Sequence, residues 1–340
     1  MATTTIPWGD GSGDNIYLTY SSASGNQTVE VTSDANTGYA NRSKNITFAS
    51  VVGNITKVLT VSQEGKPEEY IIFADPAVEQ ICATNWGDGI GLKPSQAANV
   101  TNSQFGTTFR NNTNIVSFDE LIYFTGITQF SRNSFDGASS LVSITFPPNL
   151  TYINQYSFRN NQSLAKITFT RTISGAGNNF VTGMGALTRI NIPSIESWMS
   201  NSWTGTSLPY SSAPSSGLHA YINGSNAEIT SVTIPSTITE VKNYTFGRWA
   251  GLVSVTIHSS VTSIGTYAFY QCGSLATVVV NATTPPSLGT RAFNSNANNR
   301  KIYVPYSSDH SILNAYKAAS NWSGYANDIY ELNQDGTIPS

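Results

Sequence analysis

Few side chains in this 340-residue chain could do chemistry, and their spacing decides which kind. The three histidines, His219, His258 and His310, have no cysteine or acidic partner at metal-ligand spacing. No G-x-S-x-G elbow, Walker loop or H-E-x-x-H helix occurs, and the acids are few and scattered, so a glycosidase pair would have to be assembled by the fold alone. Cys82 and Cys272 lie 190 positions apart and read as two buried free thiols rather than a disulfide framework. The Asn85–Leu92 run (NWGDGIGL) keeps only Asp88 of the carboxylates a calcium loop needs, and Gln96 stands where the closing acid would be. Asp10-Gly-Ser-Gly-Asp14 reads as a glycine-rich turn, because no later bidentate acid completes it. The expectation is a protein with no enzymatic activity, no metal and no cofactor. Recognition remains, and flat aromatic side chains serve it at low entropy cost. Trp8, Trp198, Trp203, Tyr210 and Trp249 are the candidates for a ligand or partner face, with Trp198, Trp203 and Tyr210 clustered in one stretch; packing at an edge is the competing reading.

The elements that would position these residues begin with the composition. Seventeen Lys and Arg face 20 Asp and Glu, and charged residues make up 11% of the chain, against about 25% in an average soluble domain. The surface is therefore covered by Asn, Ser, Thr, Gly and Tyr, as in extracellular β-proteins and virion proteins. A net charge of -3 without a basic cluster offers nothing to phosphate backbones or anionic membranes, so neither nucleic acid nor membrane insertion is expected. No apolar run approaches the roughly 18 residues of a membrane span, and MATTTIP at the start has neither the basic nor the apolar region of an export leader.

An internal repeat organises the middle of the chain. ITQFSRNSFDGASSLVSITFP starts at Ile127, LTYINQYSFRNNQSLAKITF at Leu150, ITEVKNYTFGRWAGLVSVTI at Ile238, VTSIGTYAFYQCGSLATVVV at Val261, and a partial copy at Ser287. Each copy has an apolar residue five positions before its phenylalanine, as in Phe130/Phe135, Ile153/Phe158, Val241/Phe246, Ile264/Phe269 and Leu288/Phe293. Leu141, Leu164, Leu252 and Leu275 follow six positions after it, then β-formers at the next third and fifth places. The period from Phe135 to Phe158, and from Phe246 to Phe269, is 23 residues. L-x-x-I-x-I predicts a turn leading into a short strand whose alternate side chains share a face. A unit this small cannot bury its own apolar side, so the units must stack into a continuous sheet with the phenylalanines as a layer behind it. These repeat positions are read as core.

Between the second and third copies, Leu187-Thr-Arg-Ile190-Asn-Ile192 keeps the spacing, and then a short helix, a polar loop and a hairpin about Asn223-Gly224 are expected as one insertion. The C-terminal stretch predicts a helix from about Ser308 to Ser320, with Ile312, Leu313, Tyr316 and Ala319 on one stripe, to cap the open end. The first 65 residues alternate as short strands (QTVEVTSDA, KNITFAS, KVLTVSQEG) and predict a small β-sandwich. Between them, a strand, a helix from about Pro76 to Asn85 and a second short helix in KPSQAANV predict an N-terminal cap.

These repeats resemble the BspA-like leucine-rich repeats, most closely in IHSSVTSIGTYAFYQCGSLATVVV from Ile257, where Cys272 falls at the position that family fills with Cys or Asn. That resemblance implies a leucine-rich-repeat solenoid and a structural thiol. GNQTVEVTSDANTG and VLTVSQEG resemble a BACON domain, which implies carbohydrate binding and a source among gut Bacteroidetes or their phages; Asp34-Ala35-Asn36 stands where that domain usually has a tryptophan. The expected fold class is mainly β, as a sandwich over residues 1–66, a mixed α/β linker and cap over 67–123, repeats over 124–307 with an insertion at about 194–229, and a helical cap over 308–340. The expected function is non-enzymatic structure and recognition, as a phage tail or head appendage located in the virion and binding other virion proteins, a host-surface protein or a glycan. The alternative is a secreted or surface-anchored bacterial adhesin or glycan-binding protein. Long sheet edges lead to the further expectation of a homo-oligomer.

Overall fold

The computed structural model describes residues 2–20, 29–36, 41–49, 56–64, 68–202 and 217–339, and divides the chain into two compact units, Met1–Glu69 and Tyr70–Ser340.

In the first unit, strands Ala2–Pro7, Asn15–Tyr20 and Val29–Ser33 form an antiparallel sheet, and Arg42–Ala49 pairs antiparallel with Thr56–Gln63. Trp8, Ile16, Leu18 and Ile46 make its small core. The Asp10–Asp14 turn closes over Arg42, whose guanidinium donates to Asp14 Oδ2 (2.8 Å), Asp10 Oδ2 (3.3 Å), Gln63 Oε1 (2.8 Å) and Asp34 O (2.9 Å), and lies 4.4 Å from the Trp8 ring centroid. Both carboxylates of the turn are thus paired with one buried arginine. Hydrogen bonds from the Ser12 hydroxyl and N–H, and then Arg42, lower the Asp10 pKa from 3.8 to about 2.

The second unit opens with helices α1 (Pro76–Trp86), α2 (Pro94–Ala98) and α3 (Asn102–Phe105). Asp75 caps α1 by accepting from Ala77 N–H at 2.8 Å, and its other oxygen accepts from Val116 and Ser117 N–H at 2.5 and 3.1 Å. One carboxylate thus starts a helix and covers the exposed edge of the first ladder strand, the kind of edge that invites association. That strand, Ser117–Phe118, begins the parallel ladder ahead of the first copy read in the sequence. Phe109, Ile115 and Phe118 keep the repeat spacing with Ile in place of Leu.

Ser117–Phe118, Ser143–Thr145, Lys166–Thr168, Arg189–Ile192 and His219–Ile222 form one five-stranded parallel sheet in that order. Ser231–Thr233, Ser254–Ile257, Thr277–Val280, Lys301–Val304 and Ile329–Glu331 form the second. Each is matched by a narrower parallel ladder, Gln129–Phe130 to Gly175–Ala176 and Glu240–Val241 to Ser287–Leu288, which carries the residue five places before the phenylalanine.

Between the ladders the phenylalanines stack. Phe109, Phe135 and Phe158 lie 5.3 and 5.0 Å apart at 15° and 8°; Phe246, Phe269 and Phe293 lie 5.2 Å apart at 11° and 5°. Burying each ring is worth about 1.5–3 kcal/mol, and each stacked pair about 0.5–1.5 kcal/mol more. The backbone turns left-handed two residues before the ring position, at Asn133, Tyr156, Asn179, Tyr244, Tyr267 and Arg291, and again two residues after it, at Gly137 and Gly183 among others. Asn and Gly suit that conformation. Tight stacking also requires Gly289, where an added Cβ would lie 2.2 Å from Thr266 N.

Three places after the ring, Cys272 Sγ donates to Phe246 O at 3.0 Å and Asn296 Nδ2 to Phe269 O at 2.7 Å. Thiol and amide therefore do one job, tying a coil to the one before it. Burial pushes the Cys272 thiol up to about 12 and raises Cys82 as well; both cysteines are free and buried.

The phenylalanine columns are interrupted where Val181 replaces the ring, and helix α4 (Ile195–Ser200) repairs the gap. Trp198 stands edge-on to Phe169 (5.6 Å, 78°) and against Trp249 (5.7 Å), which stands edge-on to Phe246 (5.0 Å, 90°). Trp198 Nε1 donates to Thr245 O at 2.6 Å, and Asn201 Oδ1 accepts from Ile173 N–H at 2.6 Å, so α4 is fastened on both sides. The Asn223-Gly224 turn carries one antiparallel bridge, Tyr221 to Glu228. At the far end, α5 (Ser311–Ala318) is shorter than the sequence indicates; Tyr316 and Trp322 close the core by donating to Ala282 O and Pro286 O, both at 2.7 Å.

Trp198→Ala should cost about 3–5 kcal/mol of solenoid stability in urea unfolding followed by circular dichroism. Trp198→Phe, which keeps a ring and loses the bond to Thr245, should cost about 1–2 kcal/mol; equal small losses would contradict the repair. The Asp10 contribution to the first unit is present above pH 3.8 and lost as pH falls through about 2. Wild type should therefore be the more stable relative to Asp10→Asn at neutral pH and lose that advantage in acid; an advantage unchanged at pH 2 would contradict the assignment.

Candidate recognition surface

The L-x-x-I-x-I pattern sends alternate strand residues to opposite sides. Ile144, Ile167, Ile190 and Ala220 are buried, so their neighbours form a solvent-facing side. Ladder register aligns Ser117, Ser143, Lys166, Arg189 and His219 in one row, and Thr145, Thr168, Asn191 and Tyr221 in the next. Cross-strand hydrogen bonds organise this side. Arg189 lies 3.8 Å over the Tyr221 ring, and donates from Nε to Asn191 Oδ1 (2.9 Å) and from Nη2 to Ser225 O (3.2 Å). Asn191 Nδ2 donates to Thr168 Oγ1 (3.4 Å), Thr145 Oγ1 to Asp119 Oδ1 (2.6 Å), and His219 Nδ1 is 2.6 Å from Glu228 Oε1. The second sheet continues in the same style with Ser231, Ser254, Thr277 and Lys301 in register, and with Lys301 5.6 Å over Tyr330.

This arrangement can present hydroxyls, amides and two cations stacked on tyrosine rings to a large partner. Among the described residues, no three His, Cys, Asp or Glu gather as a metal site. Asp88, from the residual calcium-like loop, spends its oxygens on Ile90 and Gly91 N–H (3.0 and 3.1 Å) and on the Tyr70 hydroxyl (2.6 Å). No helix among the described residues is long and apolar enough to cross a membrane.

The structure corrects the aromatic candidates. Trp198 and Trp249 are each 1% exposed and Trp8 is 6% exposed, so three of the five are core residues. Trp203 and Tyr210 lie outside the described residues. Trp249 occupies the place three after Phe246, equivalent to Cys272 and Asn296, which gives it a core position in the repeat after all. Lys166, Arg189 and Tyr221 fall on the strand positions between the apolar ones, which the Phe, Leu and Ile spacing does not mark.

The model of the BspA type leucine rich repeat region matches residues 106–208 and 219–320 in six copies, more than half of the chain, so the chain belongs to this family. The BACON model, a putative N-terminal binding domain, matches residues 8–64. Among solved structures, the chain is similar to a leucine rich cell surface protein from Faecalibacterium prausnitzii at 18% identity, covering 61% of this chain and 63% of that one with a TM-score of 0.26. It is similar to a leucine-rich repeat protein from Bacteroides ovatus at 17% identity, covering 86% and 70% with a TM-score of 0.29. The pneumococcal vaccine antigen PcpA shares 15% identity over 97% and 99%, with a TM-score of 0.30. The chain spans a little under two thirds of the F. prausnitzii structure and of a leucine-rich repeat protein from Eubacterium ventriosum. Comparison with curated proteins finds no match.

Arg189→Ala and Tyr221→Ala should each lower stability by about 0.5–1 kcal/mol, the worth of a solvent-accessible cation–aromatic pair, in urea unfolding; both residues are half-buried. A loss above about 3 kcal/mol, typical of core truncation, would make these residues structural instead of available to a partner.

Proposed function

We propose that the protein is a non-enzymatic recognition protein working outside the cell, on a bacterial surface or released from it, and that it binds its partner with the polar side of the repeat ladder. One observation carries this reading: the cross-strand network of Thr168, Arg189, Asn191 and Tyr221 holds polar and aromatic groups in place before any partner arrives, which lowers the cost of binding. The low charge of the chain and its membership in a repeat family support it. The phage-appendage expectation rests on composition and the first few residues, and neither the ladder nor the family match adds to it. The BACON match makes the first unit a second candidate for binding.

Mass spectrometry of fractionated native source material tests the location. Tryptic peptides of this chain should appear in the surface-shaved or secreted fraction; peptides confined to density-banded phage particles would overturn the proposal in favour of a virion component.

A further inference from the structure

A concave site lies away from the strands, within the helical cap, among α1, α2 and α3. α1 supplies Asn85 and Trp86, the end of α2 supplies Gln96 and Asn99, and α3 supplies Gln104, around a cavity of about 370 Å³, at the small end of the roughly 300–1,000 Å³ of ligand pockets. No charged side chain lines it. The indole of Trp86 is half-buried and held in place, stacked on Phe105 (5.6 Å, 12°) and edge-on to Phe124 (5.6 Å, 78°). Three of the four carboxamides are already oriented. Asn85 Nδ2 donates to Ile81 O at 2.8 Å, leaving Oδ1 as an acceptor. Lys93 N–H donates to Gln96 Oε1 at 2.8 Å, and Thr101 donates to Gln104 Oε1 through N–H (2.9 Å) and hydroxyl (2.8 Å), leaving both side-chain NH2 groups as donors. Asn99 is exposed and adds one more donor and acceptor.

From this we infer a binding site for a neutral pyranose ring. Sugar hydroxyls donate and accept at once, which is what fixed carboxamides of both polarities complement, and the indole supplies apolar contact for the ring carbons. The absence of a charged side chain among the lining residues disfavours phosphate or carboxylate ligands, and four amides make a poor floor for a lipid chain. The inference rests on the recognition reading only in taking the natural ligand to be part of an extracellular glycan; the site itself uses none of the strand residues.

Saturation-transfer NMR on the full chain tests it, with the methyl glycosides of glucose, galactose, mannose and N-acetylglucosamine as probes. At least one should show transfer with a Kd of about 1 mM or tighter, as expected of a single ring in an open site. Asn99→Trp, which fills the cavity from an exposed position, should abolish it, while Arg189→Ala/Tyr221→Ala should leave it unchanged. No transfer from any of the four to wild type overturns the site, as does transfer that survives in folded Asn99→Trp. Transfer lost only in Arg189→Ala/Tyr221→Ala overturns the pocket and keeps the ladder as the recognition surface. If Asn99→Trp does not fold, Asn99→Leu decides: affinity about fivefold weaker supports the site through one lost polar partner, and unchanged affinity overturns it.

Discussion

Each coil of the repeat can bury its phenylalanine only against the ring of the next coil. Twenty-three residues enclose too little volume for a core of their own, so stability resides in the contacts between neighbours. The near-parallel stacks from Phe109 to Phe158 and from Phe246 to Phe293 express this, and the surrounding chemistry serves the same spacing. Left-handed turns on both sides of the ring bring the chain round within one coil, and Gly289 allows backbones to touch. Cys272 and Asn296 reach back to the carbonyl of the preceding phenylalanine. A column built this way has two vulnerable ends and, in this chain, one break. Asp75 with α1 closes the first end, Tyr316 and Trp322 close the last, and Trp198 fills the break.

The same geometry sets the surface. Once alternate strand residues are committed to the core, the others must face solvent in straight rows, one per strand. Whatever residues occupy those rows are repeated at strand spacing. Low overall charge leaves hydroxyls, amides and tyrosines to fill them, and Arg189 over Tyr221 is the strongest single feature. The helical cap is free of that row pattern, and there the chain forms a concave pocket instead.

The repeats were legible in the sequence because Phe, Leu and Ile recur at one spacing, and the leucine-rich-repeat fold follows from that pattern; the N-terminal β-unit shows instead in short alternating runs such as VEVTS and KVLTVSQ. The coil at Phe109 escaped notice because Ile115 replaces leucine and a short 3-10 turn from Asp119 to Tyr123 follows its strand. The coil at Val181 lacked its ring, with Ala176 in place of the larger apolar residue before it. Tryptophans off the consensus suggested a ligand face; in the structure Trp198 and Trp249 are core because a broken stack of rings is best filled by larger rings. The helical pocket could not be read in advance, since Asn85, Gln96, Asn99 and Gln104 come together only when three short helices pack.

The two halves of the ladder form one array, joined through Trp198 and Trp249. Native-state hydrogen exchange measures this directly, by comparing the amides of Ile144, Ile167 and Ile190 with those of Val255 and Val278. Opening free energies for the two groups should agree within about 1 kcal/mol, because they open in one cooperative event. Two classes separated by more than about 3 kcal/mol would mean that the halves unfold independently, and would contradict it.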